Sequence, residues 1–252
     1  VASIPDWGVF LDAKGRRCVA YNGGCEYCLD VAEDGSQTFT LGASGERCVK
    51  LDTQPDGKAM PKVRNMAVPF NRNAGSPDRL PVGVPVFFEG RVTIAPNFQR
   101  ISAWWFLLAQ FQRITNPTSP PASLHIESVK TAYGYMEYLR GNVAHLGAPG
   151  GMMLGERRFP VPRGLDFKYR LDFRDAAGGP DGFLKIVVTP DGKPPQTICD
   201  YQGVTGFPDN EGLYAGWGIY GADRSSPKQP AVWSPKQLPL VMRFTDLDWG
   251  QA

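Results

Sequence analysis

Apolar and polar side chains alternate in short runs along this chain, and clusters of Gly, Pro, Asn and Asp punctuate the runs. A period of two sends successive side chains to opposite faces of a strand, so the pattern predicts β-structure. Residues 8–11 and 17–21 flank the turn Asp12-Ala13-Lys14-Gly15, and Asn22-Gly23-Gly24 follows. These are hairpin signals. The stretch 71–81 reads as a loop and leads into strand candidates at 84–88 and 91–94. Further candidates lie at 124–131, 133–139, 169–173, 183–189 and 216–220, with a Gly-rich loop at 147–151, a turn at Pro190-Asp191-Gly192 and a polar loop at 222–230. Roughly twelve to fifteen strands without a long helix is the pattern of an all-β sandwich.

One run resists simple reading. Residues 101–114, Ile-Ser-Ala-Trp-Trp-Phe-Leu-Leu-Ala-Gln-Phe-Gln-Arg-Ile, are apolar on both parities before they alternate. The aromatic content and the Pro-rich stop at 116–121 favour a strand over a helix. Unbroken alternation would then place Trp104, Phe106, Leu108, Gln110 and Gln112 on one face. Trp104 and Trp105 sit mid-run, where a core role outweighs that of a sugar-stacking platform.

Composition narrows the function classes. The chain has 252 residues, 29 of them Gly and 23 Pro, and these two residue types are poor in helix interiors. A sandwich of this length is expected to form one domain, with residues 1–60 as Cys-containing hairpins packed on it. The formal net charge is +2 and the basic residues are scattered, so nucleic acid is not an expected partner. No apolar run reaches the roughly 18–20 residues of a membrane helix. Four of the five cysteines, Cys18, Cys25, Cys28 and Cys48, fall in the first fifth of the chain. The favoured pairing is Cys18 with Cys48 and Cys25 with Cys28, leaving Cys199 as a thiol, which implies a secreted, extracellular protein. A zinc knuckle at Cys25-Glu26-Tyr27-Cys28 lacks a second CxxC or CxxH.

The chain has two histidines, His125 and His145, which leaves little material for a multi-histidine metal site or a Ser-His-Asp triad. No Gly-rich phosphate loop opens a helix. What remains on the strand faces is Gln, Arg, Tyr and Trp, the side chains that hold sugars by stacking and by forked hydrogen bonds.

Three stretches carry a resemblance. Trp105-Phe106-Leu107-Leu108-Ala109-Gln110-Phe111-Gln112, followed by Pro120-Pro121-Ala122-Ser123-Leu124-His125-Ile126, is similar to a strand ending in Gln-x-His and its successor. Residues 167–173, 182–188 and Asp191-Gly192-Lys193 resemble paired strands running into a short DG turn, and Tyr214-Ala215-Gly216-Trp217-Gly218-Ile219-Tyr220 resembles a Tyr-x-Lys-x-Gly-x-Tyr strand. Together, over roughly residues 85–222, they resemble the heparin lyase and glucuronan lyase group of polysaccharide lyases, with alginate lyases as more distant relatives. The resemblance implies a concanavalin A-like β-jelly-roll sandwich of two antiparallel sheets with few or no helices. It also implies β-elimination on an acidic, uronate-containing polysaccharide.

In such a reaction donors neutralise the sugar carboxylate, a base takes the C5 proton and an acid protonates the leaving oxygen. The expected catalytic set is Gln110 and Gln112 as carboxylate donors, Tyr214 and Tyr220 in proton transfer, and His125 from a neighbouring strand. Gln112 stands where the family has His, and Gly216 where it has Lys. Arg64, Arg91, Arg113 and Trp217 are the substrate-binding candidates, with Arg64 expected to supply the charge that lowers a phenol pKa from about 10. No cofactor is expected to be required, although the Asp-rich stretch 175–181 offers oxygens for a structural calcium. The chain is expected to act as a monomer, with neither nucleic acid nor membrane as partner. Two rival readings share the fold: a non-catalytic carbohydrate-binding or adhesion module, and a glycoside hydrolase, for which Glu127 and Glu137 are the nearest carboxylates.

Overall fold

A computed structural model describes residues 1–5, 7–21, 29–41, 49–53, 59–69, 79–96, 104–114, 120–155, 159–223 and 240–252. Every strand pairing among them is antiparallel, and no helix occurs among the described residues. The strands in chain order are β1 (Ala2–Ile4), β2 (Val9–Leu11), β3 (Arg17–Tyr21), β4 (Leu29–Val31), β5 (Gln37–Leu41), β6 (Val49–Thr53), β7 (Ala59–Pro69), β8 (Val86–Ile94) and β9 (Trp104–Arg113). They continue with β10 (Ala122–Thr131), β11 (Gly134–His145), β12 (Ala148–Leu154), β13 (Asp166–Arg174), β14 (Gly182–Pro190), β15 (Gln196–Gly203), β16 (Leu213–Asp223) and β17 (Leu240–Gln251).

An eight-stranded sheet runs β1-β4-β5-β17-β8-β13-β14-β15, and a nine-stranded sheet runs β12-β11-β10-β9-β16-β7-β3-β2 with β6 also on β7. The N-terminal strands extend both sheets, with β2–β3 and β4–β5 paired as hairpins. The Gly-rich stretch 147–151, expected as a loop, falls largely in the edge strand β12 instead.

Alternation builds the core. On β13, Phe167, Tyr169, Leu171 and Phe173 point inward, while Lys168, Arg170, Asp172 and Arg174 point out. Phe88 of β8 meets Tyr169 edge-on at 5.7 Å, Phe111 of β9 at 6.3 Å and Trp217 of β16 at 5.9 Å, tying the two sheets together. Lys193 N donates to Pro190 O at 3.0 Å and Gly192 takes a φ of 69°, closing the predicted turn between β14 and β15.

The run at 101–114 does not alternate as expected. Leu124 of β10 pairs with Ala109, and His125 pairs with Leu107, so Leu108 is an extra residue. Phe106, Leu108, Ala109 and Phe111 all join the core, and Leu107, Gln110 and Gln112 take the opposite face. On β16 the same irregularity falls between Trp217 and Tyr220. There Gly218 has a φ of 128°, and a side chain on it would collide with the Asn65 carbonyl. This bulge re-aims the two strands that carry most of the candidate residues.

Cys199 is a buried free thiol, and burial pushes its pKa up to about 12. Cys18 is also buried. Its expected partner Cys48, together with Cys25 and Cys28, lies outside the described residues.

Candidate active site on the nine-stranded sheet

Register brings the candidates together on the face of the nine-stranded sheet that points away from the core. One row runs Met153, Asn142, Ser123, Gln110, Gly216 across β12, β11, β10, β9 and β16. The next runs Arg140, His125, Leu107, Tyr220, Arg64 across β11, β10, β9, β16 and β7. Gln112 is paired with Tyr214 at the far end. Strands in a sheet lie about 4.8 Å apart, so Gln110, Ser123, His125 and Tyr220, on three neighbouring strands, share a patch about 10 Å across.

Within the patch, Gln110, Ser123, His125 and Asn142 are buried, whereas Gln112, Tyr214 and Tyr220 are half-buried. Gln110 is 5% exposed, and its amide Nε2 has only the Met66 thioether, 3.9 Å away, while Oε1 is buried without a hydrogen-bond partner. A buried polar group left unmatched costs about 1–3 kcal/mol. The position opposite is Gly216, where a Cβ would lie 3.4 Å from both Gln110 Cγ and Nε2. Glycine therefore leaves the space beside the amide open. His125 Nε2 lies 2.9 Å from Ser123 Oγ, two residues along the same strand face.

Arg140, the cation opposite His125, is engaged in structure. Its Nη1 pairs with Glu127 at 2.8 Å, and its Nη2 donates to the carbonyls of Met153 at 3.2 Å and Gly155 at 2.8 Å, clamping β12 to the sheet. Glu127 and Glu137 project from opposite faces of the β10–β11 hairpin, since Glu127 is paired with Tyr138 and Glu137 with Ser128. Glu137 is bound to Arg163. The opposed carboxylate pair of a glycoside hydrolase is not formed by these two.

Three expected substrate-binding residues are elsewhere. Trp217 is 0% exposed, packed in the core, and donates from Nε1 to Gln37 Oε1 at 2.7 Å. Its odd-numbered place on β16, with Ala215, points inward. Arg113 is 2% exposed because it follows Ala109 and Phe111 on the inward parity of β9; it lies over the Phe207 ring at 4.0 Å and donates to both Asp209 carboxylate oxygens at 2.9 Å. Arg91 is on the outer face of the eight-stranded sheet, ion-paired with Asp191, whose hydrogen bond raises the guanidinium pKa. Arg64 has its backbone opposite Tyr220, but its side chain lies outside the described part of the structure, as do the side chains of Trp104 and Trp105.

Ser123 and Asn142 were not singled out by the sequence reading. Their signal was present in polar residues at every second position of Ser123-x-His125-x-Glu127 and Arg140-x-Asn142, against Leu124, Ile126, Leu139 and Val143 in the core. In the expected calcium loop, Asp175 is fully buried, which raises its pKa, and its oxygens accept from Ala177 N at 2.8 Å and Asn210 Nδ2 at 2.7 Å. Among the described residues no group of three His, Cys, Asp or Glu side chains is placed to hold a metal.

No protein-family model matches the sequence, and no curated protein does. Solved structures do match. An alginate lyase from Klebsiella pneumoniae superposes with a TM-score of 0.54 at 13% identity, covering 89% of this chain and 84% of that one. An alginate lyase from Pseudomonas aeruginosa gives 0.50 at 15%, covering 90% and 87%. A family 7 alginate lyase variant in complex with a substrate, GGMG, gives 0.53 at 11%, covering 97% and 91%. These neighbours are alginate lyases, the group that the sequence resemblance placed further off than the heparin and glucuronan lyases. At such identities the likeness establishes the jelly-roll sandwich.

Proposed function

We propose that this chain is a polysaccharide lyase that cleaves a uronate-containing glycan by β-elimination on the outer face of the nine-stranded sheet. The observation that carries the reading is the Gln110 amide in the middle of that face, whose donor Nε2 has only the Met66 thioether at 3.9 Å and faces the Gly216 gap. A proton beside a carboxylate is weakly acidic, so catalysis needs donors that bind the developing enolate dianion better than the ground state. Gln110 supplies amide N–H groups of that kind, and Gln112 and Asn142 extend the set along the face. Tyr220, in the adjoining row, is positioned to exchange a proton with the leaving oxygen, and Tyr214 lies at the end where the chain of sugars continues. The fold shared with alginate lyases supports an acidic polysaccharide as the substrate class, and secretion and a monomeric state fit that role. The reaction requires no cofactor.

The test is incubation with alginate, glucuronan, heparin and hyaluronan while the ultraviolet absorbance of the unsaturated uronate product is followed. A rise with at least one polymer is expected. Reducing ends without the chromophore would point to hydrolysis and overturn the reading. Binding without any product would favour the non-catalytic carbohydrate-binding module, a reading supported by Gln112 and Gly216 standing where the resemblance expects His and Lys.

A further inference from the structure

We propose that the β10–β11 hairpin carries a sugar-stacking platform, centred on Tyr138, over which the glycan continues beyond the residue that is cleaved. The proposal rests on the lyase reading for its polymer and adds a binding site outside the groups assigned to the chemistry. Even-numbered residues of β11 leave the core, because Leu139 and Val143 point into it while Arg140 and Asn142 join the site face. Tyr138 and Met136 continue that face, and their cross-strand partners on β10 are Glu127 and Val129. Outward from the His125–Arg140 row, the next row is Glu127–Tyr138 and the one after is Val129–Met136, each step being about 7 Å along the strands. On its other side Tyr138 bridges to Pro160, which is exposed.

These side chains suit the apolar face and the hydroxyl edge of a sugar ring. Tyr138 and Val129 are half-buried and Met136 is 45% exposed, so the strip is seated on the sheet and open to solvent. A tyrosine ring offers a flat apolar surface at little cost in side-chain entropy, and its hydroxyl bonds at the rim. Among the described residues the Tyr138 hydroxyl donates only to Met136 Sδ, at 3.6 Å, a weak acceptor that a sugar oxygen would replace. The acid in these rows, Glu127, is neutralised by Arg140 at 2.8 Å and does not repel an anionic chain. A polymer gripped at Gln110 leaves the patch in two directions along the strands, one toward the Gln112–Tyr214 row and the other toward this hairpin. Across the strands, the outward-facing Val68 and Val19 of β7 and β3 are buried aliphatic residues that offer neither ring nor hydroxyl.

The experiment compares Tyr138→Ala, Tyr138→Phe and Met136→Glu with the wild type, on the polymer that the wild type cleaves and on the shortest oligomer that it cleaves. Tyr138→Ala should raise KM for the polymer roughly 5- to 10-fold while kcat stays within about twofold, the mark of lost uniform binding. Tyr138→Phe keeps the ring and should recover most of that loss. Met136→Glu sets a carboxylate against an anionic chain at an exposed position, so it should raise KM by a similar factor at low salt and by less at high salt. The shortest oligomer, held at Gln110 about 13 Å from the Tyr138 row, should be cut alike by all four proteins. An unchanged polymer KM in Tyr138→Ala, or an equal loss on polymer and oligomer, overturns the proposal and leaves the lyase reading standing. If Tyr138→Ala melts below the assay temperature, Met136→Glu decides by the same criteria. A wild type that retains a polymer without cleaving it overturns the lyase reading, and the variants then test the platform through their dissociation constants. A wild type that neither cleaves nor binds overturns both.

Discussion

The two sheets treat their outward-facing polar residues in opposite ways. On the eight-stranded sheet Arg91 pairs with Asp191, Arg170 with Asp172 at 2.8 Å and Glu89 at 3.2 Å, and Lys168 with Glu89 at 3.2 Å. These are charged groups matched to one another at a solvated surface, where each pair contributes about 0–1 kcal/mol. On the nine-stranded sheet the Arg140–Glu127 pair borders a group of positions without carboxylate or guanidinium, Gln110, Ser123, His125 and Asn142, that are withdrawn from solvent. A satisfied ionic face needs no ligand. A buried face of neutral donors, among them a Gln110 Nε2 with only a thioether as acceptor, keeps N–H groups that a carboxylate can use.

Substitutions can break or sharpen that contrast. The largest effect should come from neither face but from the core between them, where Trp217→Ala should cost about 3–5 kcal/mol, measured as a shift in chemical denaturation. A loss below 1 kcal/mol would place the indole outside the core. Tyr169→Phe comes next. The Tyr169 hydroxyl is also buried without a hydrogen-bond partner, but it points into the core between the sheets, and burial raises its pKa well above the usual phenol value. Removing it should stabilise the fold by about 1 kcal/mol and leave turnover unchanged; any fall in activity would show that an orphaned polar group is no guide to the site. Arg91→Ala should be smallest, changing stability by less than about 1 kcal/mol and polysaccharide binding not at all. Weaker binding in that variant would move the site to the other sheet.

How much of this was legible in the sequence depended on local regularity. β13 and β14 alternate without interruption, and their strands and turn could be read directly, whereas Glu89-Gly90 split the reading of β8 into two candidates that form one strand. β9 could not, because the bulge at Leu108 breaks the parity that the reading assumed. Gln110 and Gln112 do share the site face, although Phe106 and Leu108, expected beside them, face the core. Arg113 shares the parity of Ala109 and Phe111, opposite to Gln110 and Gln112, so it turns inward with or without the bulge. Trp217 was misjudged because an aromatic residue flanked by glycines suits a sugar platform as well as a core, and only the pairing of Trp217 with Ala109 settles its side. Arg91 shows the remaining limit: alternation tells which residues leave the core, but not which sheet they leave it from.

The central claim is that the Gln110 Nε2 donor, which has only a thioether as acceptor, is held for a substrate carboxylate. Its most direct measurement compares Gln110→Leu with the wild type for both unsaturated product and melting temperature. The account predicts that turnover falls by roughly 100- to 1000-fold while the fold becomes no less stable, since the buried amide is removed. Undiminished turnover, or a variant that loses activity only because it unfolds, would contradict it.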